Sequence, residues 1–177
     1  ETRLAPLRDQ VARALEHHHA TFPLRPAIPK EELRAALTPS PPAAVLDTLL
    51  APLLERGDLR TEGDGYAAAD HVPRLTGEQR SLADRMLARF ADAGLAPPSP
   101  EAVYEQIEAS GDEAREILHF RLRAGELVRV KDDLVFHSDA IDRLVSGLRD
   151  RFDRGEQFSV ADFRDWAEVT RKHAIPL

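Results

Sequence analysis

Two short stretches constrain the fold of this chain more than any others. Arg56-Gly57-Asp58-Leu59 and Ala124-Gly125-Glu126-Leu127 lie 68 residues apart (124 − 56). Each follows three segments of helical periodicity and precedes two short segments around a turn. Glycine directly after a helical pattern is the common left-handed end cap, because it lacks the Cβ that clashes there. The order helix, helix, helix, hairpin, repeated at about 70 residues, predicts a winged helix-turn-helix in each copy. The expected fold is mainly α with small β-hairpin wings. Tandem winged helix-turn-helix domains are expected over 1–72 and 73–138, with a further, truncated one beginning over 139–177.

In the first copy, Leu4, Leu7, Val11, Ala14 and Leu15 recur at helical spacing and predict an amphipathic helix over 4–20. It closes on His17, His18 and His19, and a proline-rich loop from Phe22 to Pro29 follows. Pro29 suits the start of a second helix. Val45, Leu46, Leu49, Leu50, Leu53 and Leu54 give a third helix a broad apolar face, and Pro52 within it predicts a kink or a shifted boundary. Asp58–Thr61 and Tyr66–Ala69 around Glu62-Gly63-Asp64-Gly65 predict a hairpin, although alanine is a poor strand former.

In the second copy, Thr76 and Gln79 have capping-box spacing, and Leu82, Met86, Leu87 and Phe90 form a helical face that Gly94 can end. Ser99-Pro100 opens a second helix holding Val103, Tyr104 and Ile107. Asp112 is expected to cap the third, with Ile117, Leu118 and Leu122 inward. Glu126–Val130 and Leu134–Phe136, around Lys131-Asp132-Asp133, predict the stronger hairpin.

The remaining residues start the pattern again. Ser138 is expected to cap a helix with Ile141, Leu144, Val145, Leu148 and Phe152 on one face, ended by Gly155. Ser159 and Asp162 have capping-box spacing, Phe158 is placed to staple onto Phe163, and Phe163 and Trp166 point inward. Thr170 is expected to cap a short helix beginning Arg171-Lys172-His173. With no hairpin after it, this segment is expected to bury an incomplete core and to fray after Pro176.

Composition narrows the chemistry. The absence of cysteine excludes disulfides, thiolate metal sites and a cysteine nucleophile. There is no apolar run of membrane-spanning length and no signal-peptide pattern, so a cytoplasmic monomer without a membrane partner is expected. Lys and Arg number 24 against 31 Asp and Glu, a net charge of −7. Non-specific nucleic-acid binding needs many phosphate-neutralising groups, so any contact must be local. Successive helical residues point about 100° apart, so His17, His18 and His19 cannot converge on one ion, and no metal site is expected. Glu31-Glu32, Asp132-Asp133 and Asp150 with Asp153 read as solvated positions rather than acid–base pairs. No activated nucleophile or phosphate-binding glycine loop is present. No catalytic residue, enzymatic activity or bound cofactor is expected of these residues.

Arg171 and Lys172 are the strongest candidates for binding. Cations beside the free backbone donors of a helix start suit a phosphate, although a solvated basic turn is the plain alternative. Arg121 and Arg123, on the third helix of the second copy, and Arg129 and Lys131 on its wing are weaker candidates, facing Glu113 and Glu116.

Phe163-Arg164-Asp165 followed by Thr170-Arg171-Lys172-His173-Ala174-Ile175-Pro176-Leu177 resembles the C-terminal region of the bacterial selenocysteine-specific translation elongation factors. That region carries a Phe-Arg-Asp segment and then Ser-Arg-Lys-Tyr-Ala-Ile-Pro-Leu. His19, Phe22-Pro23-Leu24-Arg25-Pro26 and Glu31-Glu32-Leu33-Arg34 are similar to the family as well. Thr170 stands for its usual serine, His173 for its tyrosine, and Ala27 where glycine is common. The resemblance implies a GTPase body followed by four winged helices, with this chain holding the second, the third and part of the fourth. It implies an mRNA hairpin near a UGA codon as partner, contacted here by Arg171 and Lys172. It also implies the ribosome and selenocysteyl-tRNA as partners of the whole factor, whose GTP and magnesium sites lie in the body. This stretch alone is then expected to bind the hairpin weakly or not at all.

Two other readings fit tandem winged helices. A DNA-binding transcription regulator needs a basic recognition helix in each copy, and 43–55 has no basic residue before Arg56. A protein-interaction scaffold would use the acidic faces instead.

Overall fold

The computed structural model describes residues 5–131, 133–151 and 159–177. The chain divides into two compact units, Glu1–Leu75 and Thr76–Leu177. Both are mainly helical with small antiparallel sheets, the winged-helix arrangement expected from the repeat. The readings placed on Leu4, Asp132, Phe152, Asp153, Gly155 and Phe158 lie outside the described residues.

The first unit contains α1 (Ala5–Thr21), β1 (Ile28–Pro29), α2 (Lys30–Ala36), α3 (Ala43–Glu55), β2 (Leu59–Glu62) and β3 (Gly65–Ala68). Val11, Leu15, Ile28, Leu33, Leu37, Leu46, Leu50 and Leu59 form its core, so every element except β3 contributes a large apolar side chain. Val45, expected on the inner face of α3, is 37 % exposed. The helix runs through Pro52 to Glu55, so the expected boundary shift does not occur. Proline removes one helical donor, but its own carbonyl still accepts from Arg56 N–H at 3.2 Å.

The sheet has the order β1-β3-β2, and β1 was not foreseen. It is only two residues long and emerges from the proline-rich loop, where no alternation can be read. Ile28 pairs with Tyr66 and Pro29 with Gly65. Proline is tolerated there because an edge strand has one unpaired side. The same pairing explains the alanine-rich β3. As the central strand it is approached from both sides, and a Cβ on Gly65 would collide with the Ile28 carbonyl oxygen and lie 2.9 Å from its carbon.

The second unit repeats the plan with α4 (Gly77–Ala93), α5 (Pro100–Gln106), α6 (Gly111–Arg123), β4 (Leu127–Lys131) and β5 (Leu134–His137). Helix lengths are identical in the two copies, at 17, 7 and 13 residues. The connection between the first two helices shortens from eight residues (22–29) to six (94–99). Those two residues match the length of β1, and among the described residues the second sheet is two-stranded.

Agreement extends to single hydrogen bonds. Gly57 and Gly125 both have φ +75°. Gly57 N–H donates to Leu54 O and Asp58 N–H to Leu53 O, at 3.0 and 2.9 Å; Gly125 N–H donates to Leu122 O and Glu126 N–H to Arg121 O, at 3.1 and 3.2 Å. Both are Schellman ends, displaced by 68 residues. A bulge between Arg129 and Lys131 makes the second hairpin one residue longer.

Helix starts follow the expected chemistry with three exceptions. Thr76 with Gln79 and Ser159 with Asp162 form reciprocal capping boxes. Ser99 caps α5, with Pro100 in its first turn. The α6 cap is Ser110, whose hydroxyl accepts from Glu113 N–H, and not Asp112, which lies inside the first turn. At α7 (Ser138–Arg151) the acceptor is His137 Nδ1, 3.2 Å from Asp139 N, because β5 runs directly into the helix. The third exception, Thr170, belongs to the site below.

After α7 come α8 (Val160–Ala167) and α9 (Arg171–Ala174). Leu144, Phe163, Val169 and Ala174 form a small core, with Leu148, Trp166, Ala167 and Leu177 against it. Val145, expected inward, is 37 % exposed. Leu95, from the connection between α4 and α5, packs on the same cluster and supplies apolar contact that α7–α9 lack on their own. Leu177 N lies 3.4 Å from His173 O, so the residue after Pro176 is placed against this core. Gly147 makes room for the Trp166 ring: a Cβ there would lie 2.9 Å from Trp166 Cζ2.

Candidate nucleic-acid interface

Arg171 and Lys172 are exposed and form the first two residues of the four-residue α9. The inner side of that turn is anchored, since His173 and Ala174 are buried. Thr170 does not cap it with its side chain. Its hydroxyl instead meets His173 Nδ1 at 3.0 Å, so the imidazole from the next position competes for the group that was to satisfy the backbone. Thr170 O still accepts from His173 and Ala174 N–H at 3.0 and 2.9 Å. The two cations are therefore presented by a packed turn, and so short a helix adds little dipole of its own.

The weaker candidates separate. Arg121 is 9 % exposed and reaches Asp84 at 2.8 Å and Glu126 at 2.7 Å. Its apolar stem and paired head make it part of the joint between α4 and α6, and not a free cation. Arg123, Arg129 and Lys131 are exposed. Arg115 and His119 were not singled out from the sequence, yet both are exposed and lie on one face of α6 with Arg123, at spacings of four. The i, i+4, i+8 spacing is the signal that would have found them. Arg115 pairs with Asp112 at 2.9 Å. Partial burial pushes His119 below its ordinary pKa, and the positive charges of Arg129, Arg123 and Arg115 push it further, while Glu116 pulls it up.

The three consecutive histidines go to separate places. His17 is exposed. His18 is buried, 3.3 Å from Glu32 and against Phe22, and burial lowers its pKa despite Glu32. His19 stacks on His71 with 3.6 Å between ring centres and 10° between planes. Its Nε2 accepts from Ala68 N–H at 3.3 Å, which requires that nitrogen to be unprotonated. His71 Nε2 lies 2.9 Å from Arg25 O and must donate to it. Burial, then His71, His18 and Arg60, lower His19 from 6.5 to about 4. These rings join α1 to the wing and to the segment after it. Among the described residues no group of three His, Asp or Glu side chains is arranged to hold a metal ion, and no helix is long and apolar enough to cross a membrane.

Comparison with known proteins agrees with this geometry. Residues 12–64 match the family described as elongation factor SelB, winged helix. Over 163 residues the chain is 26 % identical to a selenocysteine-specific elongation factor of Desulfomicrobium baculatum, covering 92 % of this chain and 26 % of that protein. The chain thus spans about a quarter of the length of the curated relative it matches. The crystal structure of a bacterial selenocysteine-specific elongation factor superposes with TM-score 0.53 and 15 % identity, over 98 % of this chain and 26 % of that one. The mRNA-binding domain of Escherichia coli SelB, solved in complex with SECIS RNA, gives TM-score 0.49 and 22 % identity, over 58 % of this chain and 82 % of that one. With the winged-helix order in both units, the match over 12–64 and the alignment over 163 residues make the chain similar to the winged-helix region of selenocysteine-specific elongation factors.

Proposed function

We propose that this chain links the GTPase body of a selenocysteine-specific elongation factor to its mRNA-reading tip, during UGA-directed incorporation of selenocysteine. The alignment that covers 92 % of the chain carries the reading. In it, 1–72 and 73–138 are the second and third winged helices and act as spacers, and 139–177 begins a fourth. Arg171 and Lys172 contact the phosphates of the mRNA hairpin. The partners of the whole factor are that hairpin, selenocysteyl-tRNA and the ribosome, and it works in the cytoplasm as a monomer. GTP and magnesium belong to the body.

Recognition of an RNA hairpin combines backbone contacts with reading of exposed loop bases. Arg171 and Lys172 supply the first kind, so their loss weakens binding without changing which bases are preferred. The test is a gel shift of the full-length factor on the hairpin beside the UGA codon of a selenoprotein transcript, run against a scrambled hairpin of equal length. The paired substitution Arg171→Ala and Lys172→Ala is expected to weaken cognate binding by about tenfold or more. In the full-length factor it is expected to lower UGA read-through while GTP hydrolysis stays unchanged. Equal binding of cognate and scrambled hairpins by the full-length factor, or an unaffected double variant, overturns the reading.

A further inference from the structure

We propose that the outer face of α6, with the adjoining strand β4, is a second RNA contact that grips phosphates without reading sequence. It uses Arg115, Arg123 and Arg129, with His119 between them. The inference rests on the RNA-delivery reading above but concerns a surface that reading treats as a spacer.

The two copies of the fold carry the argument, because each serves as a control for the other. α3 and α6 are both 13 residues long and displaced by 68 residues. Positions 115, 119 and 123 on α6 therefore correspond to Asp47, Ala51 and Glu55 on α3, and 129 corresponds to Thr61. All three α3 positions are exposed, as are their α6 counterparts. One fold thus presents an acidic face in the first copy and a basic one in the second. A solvated helix face needs only polar residues, and the first copy meets that need with no basic residue at these positions, Asp47 being paired with Lys30 from α2. Solubility therefore does not explain three exposed arginines on this helix face and the adjoining strand.

The position suits a backbone contact. The third helix and the wing are the parts of a winged helix-turn-helix that approach nucleic acid. Along α6, Arg115 and Arg123 stand about 12 Å apart at 1.5 Å rise per residue, enough for more than one phosphate. The Arg115–Asp112 pair does not block this use. Its partners are 58 % and 97 % exposed, and such pairs contribute little and exchange readily for a phosphate. Glu116 on the same helix keeps the face from becoming an indiscriminate polycation. Base reading is not expected, since no Phe, Tyr or Trp is among the described exposed residues of α6 and β4.

The test uses the whole chain and a fluorescently labelled RNA hairpin of sequence unrelated to any UGA element. Anisotropy titrations are run between about 50 and 200 mM salt. The variant carrying Arg115→Asp, His119→Ala and Arg123→Glu writes the α3 face onto α6. Its affinity is expected to fall by about tenfold or more, and the slope of log affinity against log salt to lessen by roughly 2. Arg115→Lys with Arg123→Lys is expected to keep parental affinity. If the charge-reversed variant fails to fold by circular dichroism, Arg123→Gln with Arg129→Gln replaces it, with a smaller loss expected in the same direction. No salt-dependent binding by the parent, an unchanged slope in the variant, or an equal loss in the lysine variant overturns the inference. The arms separate it from the proposed function. Unchanged binding of the unrelated hairpin in the charge-reversed α6 variant overturns this inference alone, and unchanged cognate binding after Arg171→Ala with Lys172→Ala overturns the proposed function alone.

Discussion

Gly65 shows how one missing methyl group holds the first unit together. β1 crosses β3 so closely that any Cβ at this position would meet the backbone of Ile28. Backbone cannot swing aside as a flexible side chain can, so the strand pairing must open. Gly65→Ala is expected to cost about 2 kcal/mol or more, in line with overpacking of a tight site, read as a lower urea midpoint. A midpoint equal to the parent's would show that β1 does not need this approach. A different residue-scale effect comes from His19, whose folded pKa of about 4 lies below the ordinary 6.5. The unfolded chain therefore takes up the proton first as pH falls. Stability is level above pH 6.5, declines between 6.5 and about 4, and stops declining below that from this group. His18 is shifted the same way and adds to the decline. His19→Gln leaves an acceptor for Ala68 but no proton site, so urea midpoints between pH 7 and 5 are expected to change less steeply than the parent's. An unaltered pH dependence would remove His19 from this account.

At the scale of elements, the joint between α4 and α6 depends on Arg121, whose head meets Asp84 and Glu126. Its counterpart in the first copy, 68 residues earlier, is Leu53, packed against the apolar core. The fold therefore accepts either solution at this corner. Asp84 and Glu126 are 65 % and 39 % exposed, so both carboxylates are hydrated once the arginine is gone. Arg121→Leu is expected to change stability by less than about 1 kcal/mol. Arg121→Ala loses the packed stem as well and is expected to cost about 2–3 kcal/mol. Equal losses in urea denaturation would mean that the charges, and not the stem, hold the joint. The sequence made the elements legible wherever local chemistry sufficed: the glycine ends at 57 and 125, the capping boxes at 76 and 159, and the apolar faces of α3 and α6. It did not reveal β1, because two residues carry no period and their pairing is wholly non-local. It misplaced caps at 112 and 138, and at 170 it gave the right N-cap residue but not the loss of its hydroxyl to His173, because several hydroxyl, carboxyl or imidazole groups compete within a few residues. For the candidate interface it gave Arg123 and Arg129 but missed Arg115 and His119, which only the bounds of α6 put on one face with them. It could not show Arg121 buried, since an arginine inside a joint and one on a surface look alike in a sequence.

For the molecule as a whole, the net charge of −7 makes the placement of cations matter more than their number. Each unit has its own core, and the first is complete in its elements: three helices, a three-stranded sheet and a buried cluster drawn from 11 to 59. About 75 residues lie near the lower limit at which one apolar core sustains a domain, so such a unit has only a few kcal/mol to spare. Residues 1–75 expressed alone are nevertheless expected to fold, because the side chains of that core, its capping glycine and its histidine joint all lie within them. Cooperative urea unfolding and a helical circular dichroism spectrum would be the result. The two residue-scale effects give an internal check: in the isolated unit, Gly65→Ala should lower the midpoint and His19→Gln should flatten its pH dependence, as both do in the whole chain. A non-cooperative transition for 1–75 would mean that the first winged helix draws its stability from outside its own core. The charge contrast between the copies then separates structure from function. The isolated first unit, with Asp47, Ala51 and Glu55 on its third helix, is expected to show no salt-dependent affinity for an RNA hairpin by anisotropy, although it shares the fold of the unit that carries Arg115, His119 and Arg123. Binding by 1–75 comparable to that of the whole chain would place the phosphate contacts in the wrong winged helix.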